Sequence, residues 1–177
     1  MSHNVDTLGW RVTEPITRKF DKGRLDACGL YGPAIKILER EGSLSWQGKV
    51  LTLDDVSDVR KGAVFAFVLD SRPCPNILKI AQRATIMLCE STYLEEHQNL
   101  AIQYAHMTAA QAAQAAKDAQ AERLILTHYS SRYQDLNCFY KEACPIFPNT
   151  WLAEDFVVFP FPKREPDPRI TYRAEKI

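Results

Sequence analysis

The run His106-Met107-Thr108-Ala109-Ala110-Gln111-Ala112-Ala113-Gln114-Ala115-Ala116-Lys117-Asp118-Ala119-Gln120-Ala121-Glu122-Arg123-Leu124-Ile125-Leu126-Thr127-His128 decides the class of fold. Thr108 and Gln111 have the spacing of a capping box, in which each side chain satisfies a free backbone N–H at a helix start. Alanine is the strongest helix former, so residues 108–121 predict a helix that needs little tertiary help. The apolar run that follows, residues 123–127, predicts a buried strand. One histidine stands just before the helix and the other just after the strand. Loop ends of an α/β sheet are where catalytic and metal-binding side chains collect. The chain has four histidines in all: His3, His97, His106 and His128.

The same texture extends upstream. Residues 63–69 form a continuous apolar run ending in Asp70, the pattern of a strand covered on both faces. Residues 85–89 form a second such run, ending in Glu90. Helices are expected over 76–83, 95–105 and 133–144, the last stopped by Pro145, and one or two strands over 150–161. Residues 8–12 fit a short strand. Strand alternating with helix from residue 62 onward implies βαβ units and a largely parallel sheet, an α/β fold. The proline-rich, charged residues 163–177 are expected to form a loose tail.

Residues 15–61 differ. They are charged and carry glycines at 23, 29, 32, 42 and 48. A short helix is expected over 34–41 after Gly32-Pro33, because proline suits the first helical turn. Residues 46–53 fit a hairpin about Gln47-Gly48. The segment is expected to be an extended, flexible arm rather than a compact core.

Composition sets the outer bounds. The chain has 177 residues, 46% hydrophobic and 25% charged, enough for one globular domain with a real core. Twenty-two basic residues balance twenty-two acidic ones, so any nucleic-acid surface must be a local patch. No apolar run approaches a bilayer span, and residues 1–4 lack the apolar core of a signal peptide, so a cytoplasmic location is expected. The five cysteines, 28, 74, 89, 138 and 144, form no Cys-x-x-Cys pair, and are expected to be reduced and structural.

Three apolar strands end in polar residues at equivalent places: Asp70, Glu90 and Thr127-His128. Parallel neighbours would gather these ends on one sheet edge, a plausible zinc or acid–base site. Each also has a purely structural reading, since polar residues at strand ends commonly cap the next turn.

The ordered runs Asp70-Ser71-Arg72-Pro73-Cys74, Cys89-Glu90-Ser91-Thr92-Tyr93, His106-Met107-Thr108, Leu126-Thr127-His128-Tyr129-Ser130-Ser131-Arg132-Tyr133 and Phe147-Pro148-Asn149 closely resemble ribonuclease Z. That family comprises tRNA 3′-processing endonucleases of the metallo-β-lactamase superfamily. The start, His3-Asn4-Val5-Asp6-Thr7-Leu8-Gly9-Trp10, resembles the family's third metal motif. By this resemblance His3, Asp70 and His128 would hold zinc, two ions per complete site, with Asp70 bridging. His106 would protonate the leaving 3′ oxygen and Glu90 would orient it. Ser130 and Arg132 would lie near the scissile phosphate. Residues 15–61 would correspond to the arm that grips precursor tRNA, with Gly32 and Pro33 matching its Gly-Pro pair and Lys19, Lys22, Arg24 and Lys36 reaching phosphates. Taken residue by residue, the plainer readings are a capping His106, an exposed His3 and solvated basic side chains.

The sequence departs from the family pattern. Leu69 replaces the usual glycine before Asp70, Ser71 replaces threonine, and Cys89 replaces the histidine before Glu90. The superfamily's His-x-His-x-Asp-His signature is absent from these 177 residues, and with it most zinc ligands and the aspartate that activates water. The resemblance therefore implies the C-terminal half of an αββα sandwich, residues 1–14 and 62–162, plus the arm. Such a chain would bind zinc weakly or not at all and be inactive alone. It would also pair with an N-terminal half or with itself, because half a sandwich leaves a sheet face bare. Two other classes stay open: a non-catalytic remnant that binds RNA or a partner, and another metallo-β-lactamase-type hydrolase.

Overall fold

The computed structural model describes residues 1–162; the expected loose tail, 163–177, lies outside them. In chain order the elements are β1 (Trp10–Thr13), β2 (Thr17–Phe20), α1 (Lys22–Ala27), α2 (Pro33–Glu41), β3 (Ser43–Trp46), β4 (Lys49–Thr52), α3 (Leu53–Val56), β5 (Ser57–Arg60), β6 (Val64–Val68), α4 (Pro75–Ala81), β7 (Ile86–Glu90), a 3₁₀ turn (Glu95–His97), α5 (Gln98–Tyr104), α6 (Ala109–Asp118), β8 (Leu124–Thr127), α7 (Asn137–Ala143) and β9 (Thr150–Leu152). The described residues divide into two compact units, one of Met1–Glu14 with Ala63–Pro162, the other Pro15–Gly62.

The first unit is α/β. Its five-stranded sheet has the order β1-β6-β7-β8-β9, parallel from β6 to β9, with β1 antiparallel at the edge. One face carries Val64, Ala66, Val68, Met87, Cys89, Leu124 and Leu126 into a core with Ile77 and Ala81 of α4 and Phe139 and Ala143 of α7. Helix α6 lies on this face with Ala109, Ala112, Ala113 and Ala116 fully buried. The alanines therefore do more than favour a helix: only a short side chain lets α6 sit this close to β7 and β8 between its neighbours. The capping box is present, with Thr108 N–H donating to Gln111 Oε1 at 3.0 Å and Gln111 N–H donating to Thr108 Oγ1 at 3.1 Å. Glu142 of α7 adds a carboxylate acceptor for Ala110 N–H at 2.9 Å.

The other face is different. Strand register aligns Trp10, Phe67, Leu88, Ile125 and Trp151 in one row across all five strands. Phe161 reaches Phe65 at 6.1 Å and Phe159 reaches Trp151 at 5.6 Å between ring centroids. Trp10 remains 58% exposed and Val12 59%.

Three expected elements shift. The helix expected from residue 133 begins at Asn137, because Tyr133 belongs to a turn closed by its N–H on Ser130 O and Asp135 receives Asn137 N–H. The helix expected over 95–105 is a 3₁₀ turn followed by α5. Beyond Leu152 there is no further strand among the described residues.

The segment 15–62 corrects the expectation of an arm without a compact core. Leu30, Ala34, Leu38 and Val56 are buried against Phe20, Leu25, Leu44, Trp46, Leu51 and Leu53. The amphipathic helix α2 presents Ala34 and Leu38 on one face, which periodicity alone foreshadows. Gln47 and Gly48 turn the β3–β4 hairpin with φ of 50° and 78°, the pairing a tight hairpin prefers. Gly32 precedes Pro33 at φ 58°, ψ −127°, which L side chains rarely adopt, so this Gly-Pro pair has a structural use as the start of α2. Arg24 ion-pairs with Asp58, whose carboxylate raises the guanidinium pKa above its ordinary value. Lys19 lies across from Asp58 in the β2–β5 register, and Lys22 opens α1. No helix among the described residues is long and apolar enough to cross a membrane.

The close seating of α6 predicts that Ala113→Leu will lower the free energy of unfolding by about 1–3 kcal/mol, because the added methylenes force the helix off the sheet. Urea denaturation followed by circular dichroism measures it.

Candidate metal and proton-transfer site

Parallel pairing brings the polar strand ends together. Val68 aligns with Cys89 and Glu90 with Thr127, so the loops after β6, β7 and β8 emerge at one edge of the sheet. Asp70 and His128 follow their strands with φ of 42° and 58°. Non-glycine residues in this region carry strain that tertiary contacts must hold, and such residues gather at functional sites.

Glu90 is the centre of the arrangement and is fully buried. Its Oε2 accepts Met107 N–H at 3.1 Å and Thr92 Oγ1–H at 2.8 Å, and its Oε1 accepts Ser71 N–H. His106 Nδ1 lies 2.9 Å from Oε2 and 3.1 Å from Oε1. A carboxylate only accepts, so Nδ1 carries the proton and Nε2 is left free.

Four further groups frame this pair. His128 Nδ1 is 2.8 Å from Thr92 Oγ1, and its Nε2 is 3.4 Å from Asp70 Oδ1. One candidate ligand atom each from Asp70, His106 and His128 lies within 4.8 Å of the other two. His3 packs its ring edge-on to His106 at 5.0 Å between centroids, and His106 stands 5.2 Å from His128. The N-terminal segment that carries His3 is tied down by Ser2 N–H to Ser71 Oγ at 3.0 Å and Arg72 N–H to Ser2 O at 2.9 Å. Arg132 donates through Nε to Ser130 Oγ at 3.2 Å and places its guanidinium 5.2 Å from the Tyr93 ring, itself 6.3 Å from His106.

The donor set fits a metal. Both ring nitrogens of His3 and Asp70 Oδ1 are shielded from water and make no hydrogen bond. Buried polar atoms are normally satisfied, and two imidazoles with a carboxylate are the ligand types zinc takes. The structure thus brings His3, Asp70, Glu90, His106 and His128 to one place. It also places Cys89 away from this chemistry, fully buried with its thiol pKa pushed well up by burial and the Glu90 charge. His97 stays outside this cluster, with its side chain 35% exposed and its Nδ1 2.8 Å from Tyr133 OH. Thr92 is the residue sequence reasoning passed over; its position two places after Glu90 was the available signal.

No protein-family model matches the sequence. Among curated proteins, the chain is 50% identical over 163 residues to ribonuclease Z of Protochlamydia amoebophila, covering 92% of this chain and 53% of that protein. It is 51% identical to ribonuclease Z of Chlamydia abortus, again covering 92% of this chain and 53% of the relative. The chain therefore spans about half the length of the curated relatives it matches. Among solved structures, the short form of human tRNase Z is 28% identical with a TM-score of 0.46, over 60% of this chain and 38% of that one. The metallo-β-lactamase fold protein YhfI from Bacillus subtilis is 20% identical with a TM-score of 0.48, over 56% and 42%.

Removing the Glu90 carboxylate strands several buried donors at once. Glu90→Leu is expected to destabilise the fold by about 3–5 kcal/mol, the scale for breaking a buried charged pair, read from urea denaturation.

Proposed function

We propose that this chain, a homologue of ribonuclease Z across nine-tenths of its own length, furnishes the C-terminal half of a zinc-dependent tRNA 3′-processing endonuclease. One observation carries the reading: a histidine held by a buried carboxylate stands against a set of shielded, unsatisfied zinc-type donors. His3, Asp70 and His128 would hold the metal. Zinc there would supply Lewis-acid polarisation of a phosphate oxygen. His106 serves as the general acid. Glu90 holds Nδ1–H and fixes the ring, so that His106 would act in its doubly protonated form: a second proton, taken up from solvent at Nε2, passes to the leaving 3′ oxygen and gives the 3′-hydroxyl, returning the ring to its neutral Nδ1–H state. Arg132, steadied by Ser130 and the Tyr93 ring, offers its fork to the phosphate beside His106. Lys19, Lys22 and the Gly32-Pro33 turn of the unit Pro15–Gly62 are the proposed contacts to the body of precursor tRNA, with Arg24 shared between Asp58 and the backbone phosphates.

The remaining ligands and the base that activates water belong, in this reading, to the part of the relatives that this chain does not span. The sheet face bearing Trp10, Val12, Phe67 and Trp151 supports it. An apolar row across five strands suits a second layer, here the facing half of an αββα sandwich, rather than water. That half, or a second copy, is the expected partner, and the complete enzyme would work in the cytoplasm.

The test is zinc content and precursor-tRNA cleavage, for these 177 residues and for the same residues joined to the missing half from a curated relative. Only the joined protein is expected to cleave. In it, Asp70→Ala should lose zinc, whereas His106→Ala should keep zinc and lose about 10²–10⁴-fold in cleavage rate. Full zinc in Asp70→Ala, or undiminished cleavage by His106→Ala, would sink the assignment.

A further inference from the structure

Thr92 carries one hydroxyl proton and touches two acceptor-capable groups. Its Oγ1 lies 2.8 Å from Glu90 Oε2 and 2.8 Å from His128 Nδ1. A carboxylate cannot donate, so the hydroxyl proton goes to Glu90. The contact to His128 then needs a proton of its own, and the only source is the ring: Nδ1–H donates to Oγ1. His128 Nε2 therefore carries a lone pair, and it faces Asp70 Oδ1 at 3.4 Å without hydrogen-bond geometry. Two lone pairs turned toward each other, on residues both held at positive φ, are arranged for something that neither supplies.

We infer that Thr92 is a positioning residue that passes the influence of Glu90 to His128. One buried carboxylate thereby sets the tautomers of two histidines: His106 directly, and His128 through the Thr92 hydroxyl. Both rings are left with Nε2 as the free nitrogen: for His128 this is the form in which an imidazole can ligate a metal, and for His106 it is the nitrogen that can take up and pass on a proton. Local sequence supports the geometry, because Thr92 follows Glu90 by two residues while Ser130 N–H bonds to Thr92 O at 3.1 Å, pinning the loop that carries His128 to the loop that carries Thr92.

The inference deepens the metal-site reading, but its test needs neither metal nor tRNA. Nitrogen NMR of the imidazoles in the metal-free full chain reports, for the neutral ring, which nitrogen is protonated. His106 and His128 should both be Nδ1–H. In Thr92→Val, which keeps the shape and loses the hydroxyl, His128 should switch to Nε2–H, toward Asp70, while His106 stays Nδ1–H and serves as the internal check that the fold is intact. Thr92→Ser should restore the wild-type pattern at His128. A wild-type His128 protonated on Nε2, or a His128 indifferent to Thr92→Val with His106 unchanged, overturns the inference, and the wild-type spectrum alone decides should Thr92→Val fail to fold. Tautomers as expected, with no cleavage by the zinc-loaded joined protein, would instead count against the proposed reaction and leave the inference standing.

Discussion

The burial of one carboxylate organises the α/β unit formed by Met1–Glu14 and Ala63–Pro162. Glu90 stands at the end of the central strand with no access to water, where an ionised group is tolerated only if donors surround it. It finds them in four places: Ser71 after β6, Thr92 after its own strand, and Met107 and His106 ahead of α6. The bonds from Ser71, His106 and Met107 cross to Glu90 from other loops, so the contacts that satisfy the charge also fix the mutual positions of those loops. The N-terminal residues are drawn in as well, because Ser71 and Arg72, positioned by this contact, hold Ser2 and so set His3 beside His106.

The sheet explains why such convergence is possible. In a parallel array every strand delivers its C-terminal end to the same edge, and β6, β7 and β8 are neighbours. Asp70, Glu90 and His128 are therefore brought together by topology before any side chain chooses a rotamer. The core beneath must be rigid for this to hold, and the alanine face of α6 supplies close packing with few rotamers to freeze. Stability and site are linked at this point: the helix whose capping box follows His106 is the one whose burial sets the strand ends.

The unit Pro15–Gly62 rests on a different principle. It has a small core of its own, built from α2 and two antiparallel strand pairs, and several of its charges are paired internally. A surface in which Arg24 is shared with Asp58 carries a weaker field than its count of basic residues suggests. The conformational freedom of its glycines is used locally, at Gly32 and Gly48, to start a helix and to close a hairpin. Glycine and charge made this stretch look open in the sequence. The spacing of Leu30, Ala34 and Leu38 was the signal that it folds.

What the sequence by itself determined is everything with a short period or a local partner. The apolar runs before Asp70, Glu90 and His128, the Thr108–Gln111 box, the Gln47–Gly48 turn and the helix after Pro33 depend on neighbours within a few residues, and they were legible. Tertiary structure alone decided what depends on residues distant in sequence. Thr92 bonds to His128 across thirty-six positions, His3 meets His106 only after the amino terminus is tied to Ser71, and Tyr133 leaves its helix for His97. The reason is physical. Propensity and periodicity act along the chain, whereas the proton on an imidazole answers to whichever group the fold places within three ångströms of it.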